Sequence, residues 1–168
     1  RKLATLHEIT QRWSLMLQRH PEKQFIFTVS PIRHLADGAH GNQVSKSTLL
    51  LAVERLCNQL DNLLYFPAYE IMMDDLRDYR FYASDMTHPS DVAVDYIYSG
   101  SARAMMTSDT CMLAQQCEKL ARRLAHRFMT DDIRVIERFE QATNEMARQL
   151  LLSNPCLKRA LEKRNIKL

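Results

Sequence analysis

Glycine is scarce: three residues among 168, two of them at Gly38 and Gly41. A phosphate cradle built from successive glycine amides is excluded, and turn chemistry is concentrated at one place. The four cysteines, Cys57, Cys111, Cys117 and Cys156, include no CxxC pair, and their spacings do not suit a zinc site. Three of them fall on apolar faces of predicted helices, as buried thiols of a reduced protein do. Long hydrophobic runs are missing too. The longest, Leu49 to Val53, is too short to cross a bilayer, and the N-terminal residues lack the apolar centre of a secretory signal. A cytoplasmic protein without membrane contact is expected. Neither sign of charge dominates: the net charge of +3 is too mild to imply a nucleic-acid partner.

What remains is an ordinary globular composition, 46% hydrophobic and 26% charged, over a length that suits one domain. Leu6, Ile9, Trp13, Met16 and Leu17 recur at helical spacing, which predicts an amphipathic helix over 3–19, ended by His20-Pro21. Gln24 to Val29 is apolar on both faces and rich in aromatic and β-branched residues, the pattern of a buried parallel strand. Pro31 stops it, and residues 31–44 read as a loop. Ser45 can cap a helix whose core face is Leu49, Val53, Leu56, Leu60 and Leu63. Leu63 to Phe66 is a second strand, so strand, helix and strand form a βαβ unit.

A short helix is predicted from Tyr69 to Asp78, with loop beyond it. Pro89 then opens a helix with Asp91 near its positive end, broken at Gly100 and Ser101. Two longer helices follow, one through Leu113, Cys117, Leu120 and Leu124, the next through Ile136, Phe139, Met146 and Leu150. Asn154-Pro155 ends the last. The tail carries Lys158, Arg159, Lys163, Arg164 and Lys167 against Glu162, but lacks the stacking aromatics of a nucleic-acid surface.

Two parallel strands cannot cover enough apolar surface to stand alone. The chain also opens on Arg1-Lys2, with a helical pattern almost at once. Either the strands pack into a mostly helical fold, or the chain is the C-terminal half of a larger α/β domain, which is the favoured expectation.

In a parallel sheet, ligands bind beyond the carboxyl ends of the strands. The first strand empties into Ser30-Pro31-Ile32-Arg33-His34. The second empties into Pro67-Ala68-Tyr69-Glu70 and on to Arg77-Asp78-Tyr79-Arg80. Parallel strands bring both loops to one edge, where polar density is highest. The sharpest element there is Asp85-Met86-Thr87-His88-Pro89. A carboxylate three residues before a histidine can accept a hydrogen bond from one ring nitrogen and leave the other as a general base. The plainer alternative is that Asp85 caps a turn and His88 packs on it.

Phe27 to His34, then Asp37-Gly38 and Ser45-Lys46, resemble the GSCFA family. So do Tyr65-Phe66-Pro67-Ala68-Tyr69-Glu70, the run Asp74 to Tyr82, and Asp85 to Ser90, in the same order and with the same short gaps. Ala125-His126-Arg127 resembles the family's end, so the resemblance covers roughly 24–150. GSCFA domains are similar to SGNH (GDSL-like) hydrolases, in which an N-terminal Ser attacks, Gly and Asn donors form the oxyanion hole, and a late Asp-x-x-His completes the triad. The resemblance implies a partial three-layer α/β/α, flavodoxin-like parallel sheet over 1–105, with a helical C-terminal region over 106–168 packed on it. It implies Asp85 as the orienting acid and His88 as the general base. The namesake Gly-Ser-Cys-Phe-Ala motif does not occur; the one Gly-Ser is Gly100-Ser101. The chain would carry about half an active site, inactive alone, with the upstream half of the domain as its partner.

The other residues at this edge are expected to bind substrate or support the site. Arg33, His34 and Lys46 could meet a polar or anionic group, or Arg33 could pair with Asp37 to pin its loop. Tyr69 lies beside them. Arg77, Asp78 and Arg80 read as a salt-bridge lattice under the Asp-x-x-His turn. Ser30 sits before a proline at a strand end, not on a nucleophile elbow, and is placed among the supporting residues. The expected activity is that of a serine esterase or acyltransferase on a polar or carbohydrate-linked ester, with no metal or organic cofactor. The alternative is a non-catalytic helical docking or dimerisation module after residue 105, where methionine-rich faces leave room for a homo-oligomer.

Overall fold

The computed structural model describes residues 3–159 and divides after Ala104 into two compact units. The tail positions Glu162, Lys163, Arg164 and Lys167, and the opening Arg1-Lys2, lie outside the described residues.

The first unit begins with α1 (Leu6–Gln18). Thr5 caps it: its hydroxyl accepts from the Glu8 amide, and the Glu8 carboxylate accepts from the Thr5 amide at 2.7 Å. This reciprocal box satisfies two amides that the first turn leaves without helical partners. Strand β1 (Phe25–Phe27) follows, then α2 (Gly38–Cys57) and β2 (Leu63–Tyr65). The strands pair in parallel, with Phe25 opposite Leu63 and Phe27 opposite Tyr65. The βαβ order predicted from the sequence is present, in a chain that is otherwise mostly helical.

Leu17 of α1, Leu56 of α2 and Leu63 of β2 form the core under the sheet, with Phe25, Phe27 and Leu60 packed around them. Burying each such side chain contributes about 1.5–3 kcal/mol. Strand residues alternate between faces, so Ile26 and Leu64 point the other way, and they stay 48% and 52% exposed. The sequence predicts a strand buried on both faces; among the described residues α1 and α2 cover one.

Helix α2 starts at Gly38, seven residues before Ser45, the expected cap. Residues 31–44 are therefore only partly loop. Gly38 takes φ = 67°, a left-handed conformation that glycine adopts without penalty, and this turns the chain into the helix. Helix α3 (Ala68–Asp74) is shorter than predicted.

Helix α4 (Asp91–Met105) runs straight through Gly100 and Ser101. Pro89 lies outside α4 and bridges antiparallel to Tyr82; Ser90 serves at the N-terminus, its carbonyl accepting from Val94 at 2.9 Å. A second small core, Met72, Leu76, Tyr82 and Ala93, ties α3 to α4.

The second unit is a helical hairpin of α5 (Ser108–Leu124) and α6 (Ile133–Ser153). Leu120 and Ala147 are buried against each other, with Met146, Leu151 and Leu157 around them. Arg123 fastens the hairpin near its loop. It donates to the Thr143 hydroxyl at 3.0 Å and to the Phe139 carbonyl at 3.2 Å, and lies 4.1 Å from the Phe139 ring centre. His126 and Phe128 complete an aromatic cluster on Phe139. Cys57, Cys111 and Cys117 are half-buried and Cys156 is exposed. Burial raises the Cys57 thiol above its ordinary range.

Candidate functional site

Asp85 and His88 lie on a closed turn. The Ala83 amide donates to the His88 carbonyl and the Ser90 amide to the Phe81 carbonyl, each at 2.8 Å, so the chain from Phe81 to Ser90 doubles back on itself. The tip is reversed at Met86, which takes φ = 58°. For a residue other than glycine that conformation costs on the order of 1 kcal/mol and persists only where its surroundings hold it.

Within the turn three donors converge on Asp85. Its Oδ1 accepts from the Thr87 and His88 amides at 2.9 and 3.0 Å, and its Oδ2 accepts from His88 Nδ1 at 2.6 Å. The His88 amide and ring and the Thr87 amide hold the Asp85 carboxyl down at about 2, below its ordinary 3.8. An ionised carboxylate on Nδ1 fixes the proton there and leaves Nε2 as the acceptor. No described residue bonds Nε2, and both side chains are about half exposed, 57% for His88 and 49% for Asp85. A base oriented by an acid and open on its far side can take a proton from a hydroxyl brought to it.

Arg33 reaches this turn from the loop after β1, 53 residues away in the chain. Its amide donates to the Thr87 carbonyl at 3.1 Å, its Nη1 to the Met86 carbonyl at 3.3 Å, and its guanidinium lies 3.8 Å from the centre of the Tyr82 ring. Arg33 also lines a cleft of about 330 Å³, together with His34, Asn42, Gln43, Tyr69 and Tyr79. In the cleft wall Tyr69 donates its hydroxyl to Gln43, and burial raises its phenol above the ordinary range. The exposed His34 has its amide held by the Asn42 side chain. On the adjoining strand end, the Tyr65 hydroxyl donates to Glu70, fastening β2 to α3 at 2.7 Å.

Other residues expected at the site have different work. Lys46 is 3% exposed, and its Nζ donates to the Ser30 carbonyl at 2.6 Å. Burial lowers its pKa, and it pins the loop after β1, a supporting role. The Ser30 hydroxyl accepts from the Ile32 amide at 3.3 Å, a local turn bond. Arg77 bonds the Asp74 carbonyl, and Arg80 pairs with Asp78 at 3.5 Å. These are exposed local pairs, each closed within a few residues, and not the lattice predicted under Asp85 and His88. Exposed pairs of this kind contribute little to stability. The brace is Arg33 with Tyr82, whose partnership no local spacing announces. Gln43 is likewise silent in the sequence, because its partner Tyr69 lies on another segment, and Asn42 is silent because the stretch it shares with its partner His34 reads as loop. Among the described residues no cluster of His, Cys, Asp and Glu has the geometry to hold a metal ion, and no helix is long and apolar enough to cross a membrane.

This arrangement, a parallel βαβ edge with an Asp-x-x-His turn beside a cleft, falls inside the segment that comparison with known families recognises. The chain belongs to the GSCFA family, whose model matches residues 1–100. The match begins earlier than the resemblance at residue 24 and ends before the α5–α6 hairpin, so Ala125-His126-Arg127 lies beyond it. No curated protein and no solved structure matches the chain.

Proposed function

We propose that this chain supplies the acid–base half of a Ser-His-Asp hydrolytic site in a serine esterase or acyltransferase of SGNH-like, three-layer architecture. The observation that carries the reading is the 2.6 Å bond from His88 Nδ1 to Asp85, on a turn that leaves Nε2 open. A serine hydroxyl loses its proton to His88 Nε2 as its oxygen attacks the ester carbonyl. His88 returns that proton to the leaving alcohol. A water or a second alcohol then attacks the acyl carbon as His88 takes its proton, and His88 passes that proton to the serine oxygen as its bond to the acyl group breaks. Asp85 keeps the imidazole in the tautomer that can accept, and stabilises the imidazolium that forms.

The nucleophile and the oxyanion donors are proposed to come from a Gly-Ser-Cys segment of the family type outside these 168 residues, since the motif is absent here. The half-exposed Ile26 and Leu64 fit a sheet that further chain of the same domain completes. The cleft beside the turn suits a polar or carbohydrate-linked leaving group: tyrosine rings offer flat apolar surface, and Asn42, Gln43 and His34 offer hydrogen bonds. A cytoplasmic enzyme is part of the same reading.

The test is hydrolysis of a short-chain ester by the full-length protein and its His88→Ala variant. Loss of about three orders of magnitude in kcat is expected. An unchanged rate overturns the assignment.

A further inference from the structure

We propose that Arg33 is a positioning residue for the Asp85–His88 pair, bracing their turn from the loop of the neighbouring strand. The bonds internal to the turn close its base and hold its carboxylate. Its two tip carbonyls, of Met86 and Thr87, both go to Arg33, one to the guanidinium and one to the backbone amide. The tip is also where the backbone is strained, at Met86, and a strained residue stays in place only where something outside holds it. The guanidinium is itself fixed, lying on the face of Tyr82, whose backbone pairs with Pro89 on the far side of the turn. One side chain thereby touches the turn at its tip and, through Tyr82, at its base.

A lysine at this position keeps the charge but has neither the flat face nor the fork. Arg33 also lines the cleft, so one residue belongs to both the cleft wall and the brace of the base. A role in catalysis rests on His88 being the base; the bracing does not.

The experiment follows the Asp85 side-chain carboxyl by NMR in the full-length protein, wild type, Arg33→Lys and Tyr82→Leu. The wild-type carboxyl is expected to titrate well below the ordinary 3.8, because the hydrogen bonds within the turn favour its charged form. In both variants the midpoint is expected to move toward the ordinary 3.8, and the downfield His88 Nδ1–H signal to weaken. Arg33→Lys retains the positive charge, so a midpoint unchanged in that variant overturns the proposal. If Tyr82→Leu fails to fold, Arg33→Lys decides alone.

In the ester assay, Arg33→Lys is expected to lower kcat about tenfold and leave KM within about twofold. A raised KM with unchanged kcat makes Arg33 a substrate-binding residue and overturns the positioning role. A wild-type protein that hydrolyses no ester removes the catalytic reading, and the titration still decides whether Arg33 braces the turn.

Discussion

Three hydrogen bonds on one carboxylate set the character of His88. Asp85 is exposed, so burial does not create its low pKa; the donors aimed at its charged form do. A depressed carboxyl stabilises the folded turn at pH above the ordinary value and loses that contribution as pH falls through the folded value. The downfield imidazole N–H signal is therefore expected intact at about pH 5 and lost between about pH 4 and 2. In Asp85→Asn the acid dependence should vanish, because nothing at position 85 titrates, and esterase kcat of the full-length protein should fall by about two to four orders of magnitude. Lys46 illustrates the opposite environment. It is buried on the Ser30 carbonyl, so Lys46→Ala leaves that carbonyl without its donor and is expected to lower unfolding stability by about 1–3 kcal/mol. Denaturant titration checks this; a change within experimental scatter would mean that water replaces the ammonium there.

Among the elements, glycine misleads as punctuation. Gly100 reads as a break, yet α4 continues through it. Burial of Ala93 and the half-buried Ile97 against α3 outweighs the loss of about 0.5–1 kcal/mol that a mid-helix glycine brings. A methyl group at Gly100 would stand 3.8 Å from Phe66 and 3.9 Å from Ile71, ordinary contact distances. Gly100→Ala is expected to stabilise the protein by about 0.5–1 kcal/mol, seen as a higher denaturation midpoint with unchanged slope. At Gly41 a methyl group would meet Asp37 Cβ at 3.3 Å, so the helix-propensity gain of Gly41→Ala should be largely offset. In the hairpin, Arg123 joins α5 to two residues of α6. Arg123→Ala should cost about 1–3 kcal/mol in the unfolding of that unit, read from local amide exchange over α5 and α6.

Across the molecule, periodic apolar residues made the helices, both strands and their parallel pairing legible, because side-chain burial repeats with the backbone. The hairpin's two long helices were equally plain. Less legible were their limits: α2 begins inside a stretch whose polar, glycine-bearing composition reads as loop, and the exposure of Ile26 and Leu64 among the described residues is one that no local pattern encodes. The Asp85–His88 bond was legible because both partners sit in one short turn. The Arg33–Tyr82 brace and the Tyr69–Gln43 bond were not, since each joins segments far apart in sequence. Lys46 reads as a substrate-binding or site-supporting residue, and its burial on the Ser30 carbonyl, which makes it a support of the loop after β1, depends on packing that no local pattern encodes.

The most direct test of the catalytic account is the reaction of the full-length protein with a fluorophosphonate, followed by mass spectrometry. A single adduct is expected on a serine outside these 168 residues, formed about a thousandfold more slowly in His88→Ala. An adduct that forms as fast without His88, or one on a serine within this chain, contradicts it.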